Sequence, residues 1–172
     1  MTPLRCVVDT NVLVTAAGAN DAASAACAAA SEQALRDLMA HGHVFIDDGG
    51  RIIDEYRRGI DLGGKSDAGE EFLEWVIANE FNIARVSRVP LTPKPDDAQD
   101  FVELPALPAG LAYDPADRKF IAVAAAHDDR PPVLQALDSK WWGWREALAA
   151  AGVTIRFLCP AEIARKFHEK MD

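Results

Sequence analysis

Apolar residues recur along this chain in two alternating rhythms. Short runs rich in Val, Ile and Phe occur at Leu4–Asp9, His43–Asp47, Asn82–Val89, Val133–Leu137 and Val153–Cys159. Bounded mostly by turn residues, such runs predict buried β-strands. Between them the apolar positions take helical spacing. Residues Ala22–Ala40 are Ala-rich and gain an apolar face late, at Leu35, Leu38 and Met39. Residues Arg51–Ile60 place Ile52, Ile53, Tyr56 and Ile60 on one side, and Ala68–Asn79 do the same with Phe72, Leu73, Val76 and Ile77. The best-marked helix lies in "YDPADRKFIAVAAAH". There Asp114 is the N-cap, Pro115 takes the first helical position, and Phe120, Ile121, Val123 and Ala124 form the apolar side. Trp144–Ala151, stopped by Gly152, and Ala161–Lys170, after Pro160, complete the helices.

Strands alternating with helices predict an α/β fold: right-handed crossovers and a mostly parallel sheet covered on both faces. The 172 residues suit a single domain, residues 1–172, and contain no internal repeat. One stretch breaks the rhythm. Pro90–Tyr113 holds five prolines and no sustained period, so this Pro-rich loop at 90–113 reads as a functional surface loop or a segment ordered by packing.

The same pattern poses a chemical problem. In "LRCVVDTNVLV" an apolar run stops on Asp9, and burying an unpaired carboxylate costs several kcal/mol, as an order of magnitude. Asp138 ends the fourth run in the same way, in "VLQALDSKWW". Strand ends near the point where strand order reverses form the crevice of an open parallel sheet, so two strands ending on Asp point to a shared site. Glu55, beside Ile52 and Tyr56 in "RIIDEYRRGI", and Asp117, in the first turn of "DPADRKF", are placed to join them. Three or four carboxylates suit Mg²⁺ or Mn²⁺, which prefer oxygen ligands, lower the pKa of bound water and stabilise charge on a phosphoryl oxygen. Without a cation, two carboxylates about 4 Å apart repel by ~4 kcal/mol at an effective dielectric near 20. Each acid also has a plainer role. Asp114 and Asp117 approximate a capping box, Glu55 suits a solvated helix face, and Asp138 suits a turn.

In order along the chain, these elements resemble the PIN-domain nucleases. "VVDTNVLV" is similar to the family's opening strand with Asp, any residue, then Asn or Ser. "IIDEYRR" resembles its helix carrying a Glu, "DPADRKFIAVAAAH" its Asp leading an Ala-rich helix, and "VLQALDSKWW" its strand ending in Asp. The resemblance spans roughly residues 4 to 160. It implies a three-layer α/β/α sandwich whose five-stranded parallel sheet has order 3-2-1-4-5, with Asp9 and Asp138 adjacent at the switch point. It also implies Mg²⁺- or Mn²⁺-dependent cleavage of RNA by Asp9, Glu55, Asp117 and Asp138, and often a homodimer. Many small members are toxins paired with an antitoxin protein. Thr10 and Asn11 are then expected to order the Asp138 turn by hydrogen bonds. Some features depart from the family pattern. Asp54 adjoins Glu55, which is favoured because the family carries Glu there. Asp114 competes with Asp117, which is favoured because Asp114 fits the cap so well. Asp47 and Asp48 stand where the family often has a helix-capping Ser, and the 90–113 loop is longer than in compact toxin members.

The formal net charge of −9 argues against holding nucleic acid by bulk positive charge. Local cations remain: Arg57 and Arg58 follow Glu55, Arg118 and Lys119 follow Asp117, and Lys140 follows Asp138, all candidate contacts to an RNA substrate. In "SKWWGWR" two of the three Trp residues read as core and the third as cover for the next helix. Cys6, Cys27 and Cys159 read as buried thiols of a reducing compartment and not as a disulfide frame. No stretch is long and apolar enough to span a bilayer, and "MTPLRCVVDT" lacks signal-peptide features, so a cytoplasmic protein without membrane association is expected. His41 and His43 form a weak H-x-H, and "DLGGKSD" at 61–67 lacks Walker spacing.

Two other functions compete with a metal-dependent endoribonuclease. One is a catalytically weak PIN-like module that binds RNA or protein. The other is a haloacid-dehalogenase-type phosphatase, whose nucleophilic strand-end Asp wants a second Asp two residues on, where Asn11 stands.

Overall fold

The computed structural model describes residues 2–60 and 67–172, so residues 61–66 of "DLGGKSD" lie outside the described residues. Strand β1 (Arg5–Val8) lies at the centre of a five-stranded sheet and is followed by helices α1 (Thr10–Ala16) and α2 (Ala25–His41). Next come β2 (His43–Asp47), α3 (Arg51–Ile60), α4 (Ala68–Asn79) and β3 (Val86–Val89). A short hairpin, β4 (Pro93–Lys94) and β5 (Asp97–Phe101), precedes a 3₁₀ turn at Pro115–Asp117 and α5 (Arg118–Ala126). The chain ends with β6 (Val133–Gln135), α6 (Lys140–Ala150), β7 (Ile155–Phe157) and α7 (Pro160–Met171).

The main sheet has the order β3-β2-β1-β6-β7, with every pair parallel. Counted by its five strands this is 3-2-1-4-5, and helices cover both faces to give a three-layer α/β/α sandwich. Cys6, Val7 and Val8 of β1, Val44, Phe45 and Ile46 of β2, and Val133 and Leu134 of β6 are fully buried. These strands therefore read as continuous apolar runs, as a doubly covered parallel sheet requires. The order reverses at β1, whose neighbours β2 and β6 are reached through crossovers in opposite directions.

Most predicted elements form, and where they differ the reason is local hydrogen bonding. The Asn82–Val89 run yields a strand only from Val86, because Asn82 Oδ1 accepts from Ala84 N at 3.2 Å and its carbonyl accepts from Val86 N at 2.9 Å, holding a turn. Val133–Leu137 leaves the ladder after Gln135, whose Oε1 accepts from Ala136 N. Helix α6 starts at Lys140, ahead of the predicted Trp144, which puts Trp141 in the core beside Trp144. Helix α1 was not apparent in the sequence, since "TNVLVTA" is rich in β-branched residues. The Pro-rich loop is partly ordered: it carries the β4–β5 hairpin, and buried Phe101 fixes its end. Asp47 caps α3 as its position suggested, accepting from Arg51 N at 3.1 Å and Ile52 N at 2.9 Å. Positive φ at Gly50 makes that tight approach possible.

The cysteines require a correction. Cys27, in the first turn of α2, and Cys159, just before α7, are joined in a disulfide with a Cα–Cα distance of 5.6 Å across 132 residues of sequence. The two helix starts meet in space, which no sequence spacing reveals, and the cysteine argument for a reducing compartment falls with it. Cys6 is the buried free thiol expected, its pKa pushed up to about 12 by burial. Among the described residues, no helix is long and apolar enough to cross a membrane.

Protein denatured without reductant should therefore titrate one thiol, and Cys159→Ser should lower the unfolding free energy by about 2–4 kcal/mol. Three titratable thiols, with no stability loss in the variant, would contradict the disulfide.

Candidate acidic site

Asp9 sits where β1 ends and α1 begins, and it caps that helix. Its Oδ2 accepts from Asn11 N at 3.0 Å and from Gln135 Nε2 at 3.0 Å, and the residue is 4% exposed. The adjacent strand β6 ends on that same Gln135, whose Oε1 accepts from Asp138 N at 3.3 Å. Asn11 Oδ1 accepts from Leu137 N at 2.7 Å. Asn11 and Gln135 together thus fold the turn that presents Asp138, with both strand ends locked to each other. Asn11 plays the ordering role expected of it. Thr10 does not: its hydroxyl donates to Glu55 Oε2 and orients that carboxylate on α3 instead of the Asp138 turn. Below Asp9, Tyr56 donates its buried hydroxyl to the Val8 carbonyl at 2.6 Å, tying α3 to the end of β1.

Asp117 closes the 3₁₀ turn ahead of α5 and is buried. Asp114 caps that turn, accepting from Ala116 N at 3.1 Å, and its other oxygen accepts from Lys140 Nζ at 2.8 Å. Asp117 and Asp138 meet at Lys140 Nζ, and Asp9 feels the charge of Asp117, Asp138 and Glu55. Asp9 is held well above the usual carboxylate range by burial first, then by repulsion from Asp117, Asp138 and Glu55. Asp117 is pushed up to about 6 by burial and by Asp138, against the pull of Lys140. Its Oδ2 is buried and faces Lys140 Nζ at 3.1 Å.

Two of the predicted substrate-binding cations lie inside this cluster. Lys140 Nζ stands 2.8 Å from Asp114 Oδ2, 3.1 Å from Asp117 Oδ2 and 3.4 Å from Asp138 Oδ2. Burial alone would lower its pKa, but the three carboxylates outweigh that and raise it. Lys119, 8% exposed, places Nζ 2.7 Å from Glu55 Oε1. Each ammonium takes up the repulsion that a cation would relieve. Among the described residues, no three His, Cys, Asp or Glu side chains are already arranged to hold a metal ion.

The remaining cations divide. Arg57 pairs with Asp54 at 3.3 Å on the surface, and Arg118 reaches Asp97 of the hairpin at 3.0 Å. Arg58 is exposed. Trp141 and Trp144 are buried, while Trp142 packs on Phe157 under Arg145, so this cluster is mainly core, as anticipated. His43 bonds Ser87 Oγ and the Ala84 carbonyl and is structural. Sequence reasoning missed Gln135, while Asp114 fills the cap role favoured for it. The signal for Gln135 was a lone polar residue inside the apolar run "VLQAL". The chain has no significant match among family models, curated proteins or solved structures.

The raised acids set a pH dependence. The native state keeps protons on Asp117 that the unfolded chain has already lost, so this group's contribution to stability falls as pH rises from about 4 to about 6. Asp117→Asn mimics the protonated form. Without divalent cations it should exceed the wild type in unfolding free energy by about 1–3 kcal/mol at pH 7, with the difference closing near pH 4. Urea denaturation at the two pH values checks this; a variant less stable than wild type at pH 7 would refute it.

Proposed function

We propose that this chain is a PIN-like, divalent-cation-dependent endoribonuclease that hydrolyses RNA phosphodiesters. The supporting observation is the convergence of Asp9, Glu55, Asp117 and Asp138 at the carboxyl ends of adjacent parallel strands, where the strand order reverses. An all-oxygen donor set whose negative charge already draws two ammonium groups fits Mg²⁺ or Mn²⁺. Asp9, Glu55, Asp117 and Asp138 would hold that ion, which supplies an acidified water and neutralises phosphoryl charge.

The chain's own residues prepare the site. Asn11 and Gln135 hold Asp9 in one orientation, and Thr10 does the same for Glu55. Lys119 and Lys140 act as counter-ions to the carboxylates, and their ammonium groups suit phosphate oxygens, which matters in a chain of net charge −9. An antitoxin protein, a homodimer and a cytoplasmic setting belong to the same proposal. The hairpin at residues 93–101 is the feature least like a compact toxin.

One observation favours a second reading, a PIN-like module that binds RNA or protein without cutting. Lys140 already contacts three carboxylates, so the cluster is partly neutralised without any metal. No observation favours the phosphatase.

Purified protein with Mn²⁺ should cleave single-stranded RNA, and Asp117→Asn should lower the rate by at least about 100-fold, since several kcal/mol of charge stabilisation go with it. Mn²⁺ should also raise the Tm of the wild type and not of the variant. Absence of both cleavage and a Tm shift in the wild type would overturn the nuclease and favour the binding module.

A further inference from the structure

Beside the acidic site lies a cleft of about 220 Å³ between α3 and the β4–β5 hairpin, with Arg51, Arg58, Gln99, Phe101 and Lys119 in its wall. The hairpin is a fixed wall. Arg118 on α5 holds its Asp97 at 3.0 Å, and the Arg51 guanidinium of α3 lies over the Phe101 ring at 5.2 Å. Lys119 belongs to both places, since the ammonium that pairs with Glu55 also lines the cleft. The acids and the cleft therefore adjoin through one shared side chain.

The charge of the cleft contrasts with that of the chain. Three cations line it against one acid, Asp54; Asp54 is paired with Arg57, Arg51 with Asp47 at 3.3 Å and Lys119 with Glu55 at 2.7 Å, which leaves Arg58 to set the charge of the cleft. Arg58 makes no ion pair among the described residues. Phe101 is 1% exposed and covered by Arg51, so it offers no face for stacking a base. The cleft has room for roughly seven waters, enough for a hydrated anion. Cations without a stacking platform read phosphate and not base.

We propose that this cleft is a phosphate subsite for the RNA strand, seating a backbone phosphate that flanks the one at the acids, with Arg58 and Arg51 as its ligands and the hairpin as its outer wall. This rests on the nuclease reading above. The site would favour single strands, because a flanking phosphate must turn from the acids into a walled cleft.

The test uses the full chain. Arg58→Ala should raise the KM for a single-stranded oligoribonucleotide about 5–10-fold, with the loss confined to KM, and reduce the slope of log affinity against log salt by about one. Arg58→Lys should restore most of the affinity. Gln99→Glu, on the exposed hairpin, should raise KM in the same direction by placing a negative charge in the cleft. Cleavage by the wild type, with KM and salt slope unchanged in Arg58→Ala and Gln99→Glu, would overturn the subsite and leave the nuclease standing. If the wild type does not cleave, the nuclease reading has failed. Binding of the labelled oligoribonucleotide to Asp117→Asn protein then decides the cleft separately: Arg58-dependent affinity supports it, while absent or Arg58-independent binding overturns it.

Discussion

The structure turns on a carboxylate at the end of a buried strand. Asp9 is nearly inaccessible, yet it joins β1 to α1 by capping the helix and joins β1 to β6 through Gln135. Those hydrogen bonds favour the charged form, against a burial that holds the carboxyl well above its usual range. They also place it among Glu55, Asp117 and Asp138, whose repulsion undoes part of that stabilisation. The fold and the site therefore share one atom set. The crossover geometry of a parallel sheet brings the acids together, and the acids in turn constrain what can bind there.

The cost of that arrangement explains the two lysines. Carboxylates this close need positive charge, and Lys119 and Lys140 supply it from helices that already flank the cluster. Lys140 reaches three acids from two different segments, which makes it the hub of the apo site. A buried charge left unpaired is far more costly than an exposed one, so these ammonium groups hold the cluster together.

Much of this was legible in the chain. Strand-end acids, the Asp114 cap and the Pro115 start are local features, and local features survive into structure. The alternation of apolar runs and helical stripes likewise carried the α/β class and the parallel, doubly covered sheet, because crossovers have one hand, whereas the strand order came from the resemblance to the PIN-domain nucleases. What escaped depends on distance in space. Cys27 and Cys159 meet only because α2 and α7 start side by side. Lys140 reads as a rim cation until its long stem is seen reaching back to Asp114. Helix α1 overrides the β-branched bias of "TNVLVTA" because a cap and a buried face decide it. Thr10 was assigned to the wrong acid for a similar reason: α3, far along the chain, brings Glu55 over it.

The central claim is that the acids form a cation site and that Lys140 holds the place of the ion. A crystal structure of the protein soaked in Mn²⁺ tests it most directly. The account predicts manganese density touching Asp9, Asp117 and Asp138, with Lys140 withdrawn from their carboxylates. Manganese absent from the cluster at saturating concentration, with Lys140 still in contact with Asp114, Asp117 and Asp138, would contradict it.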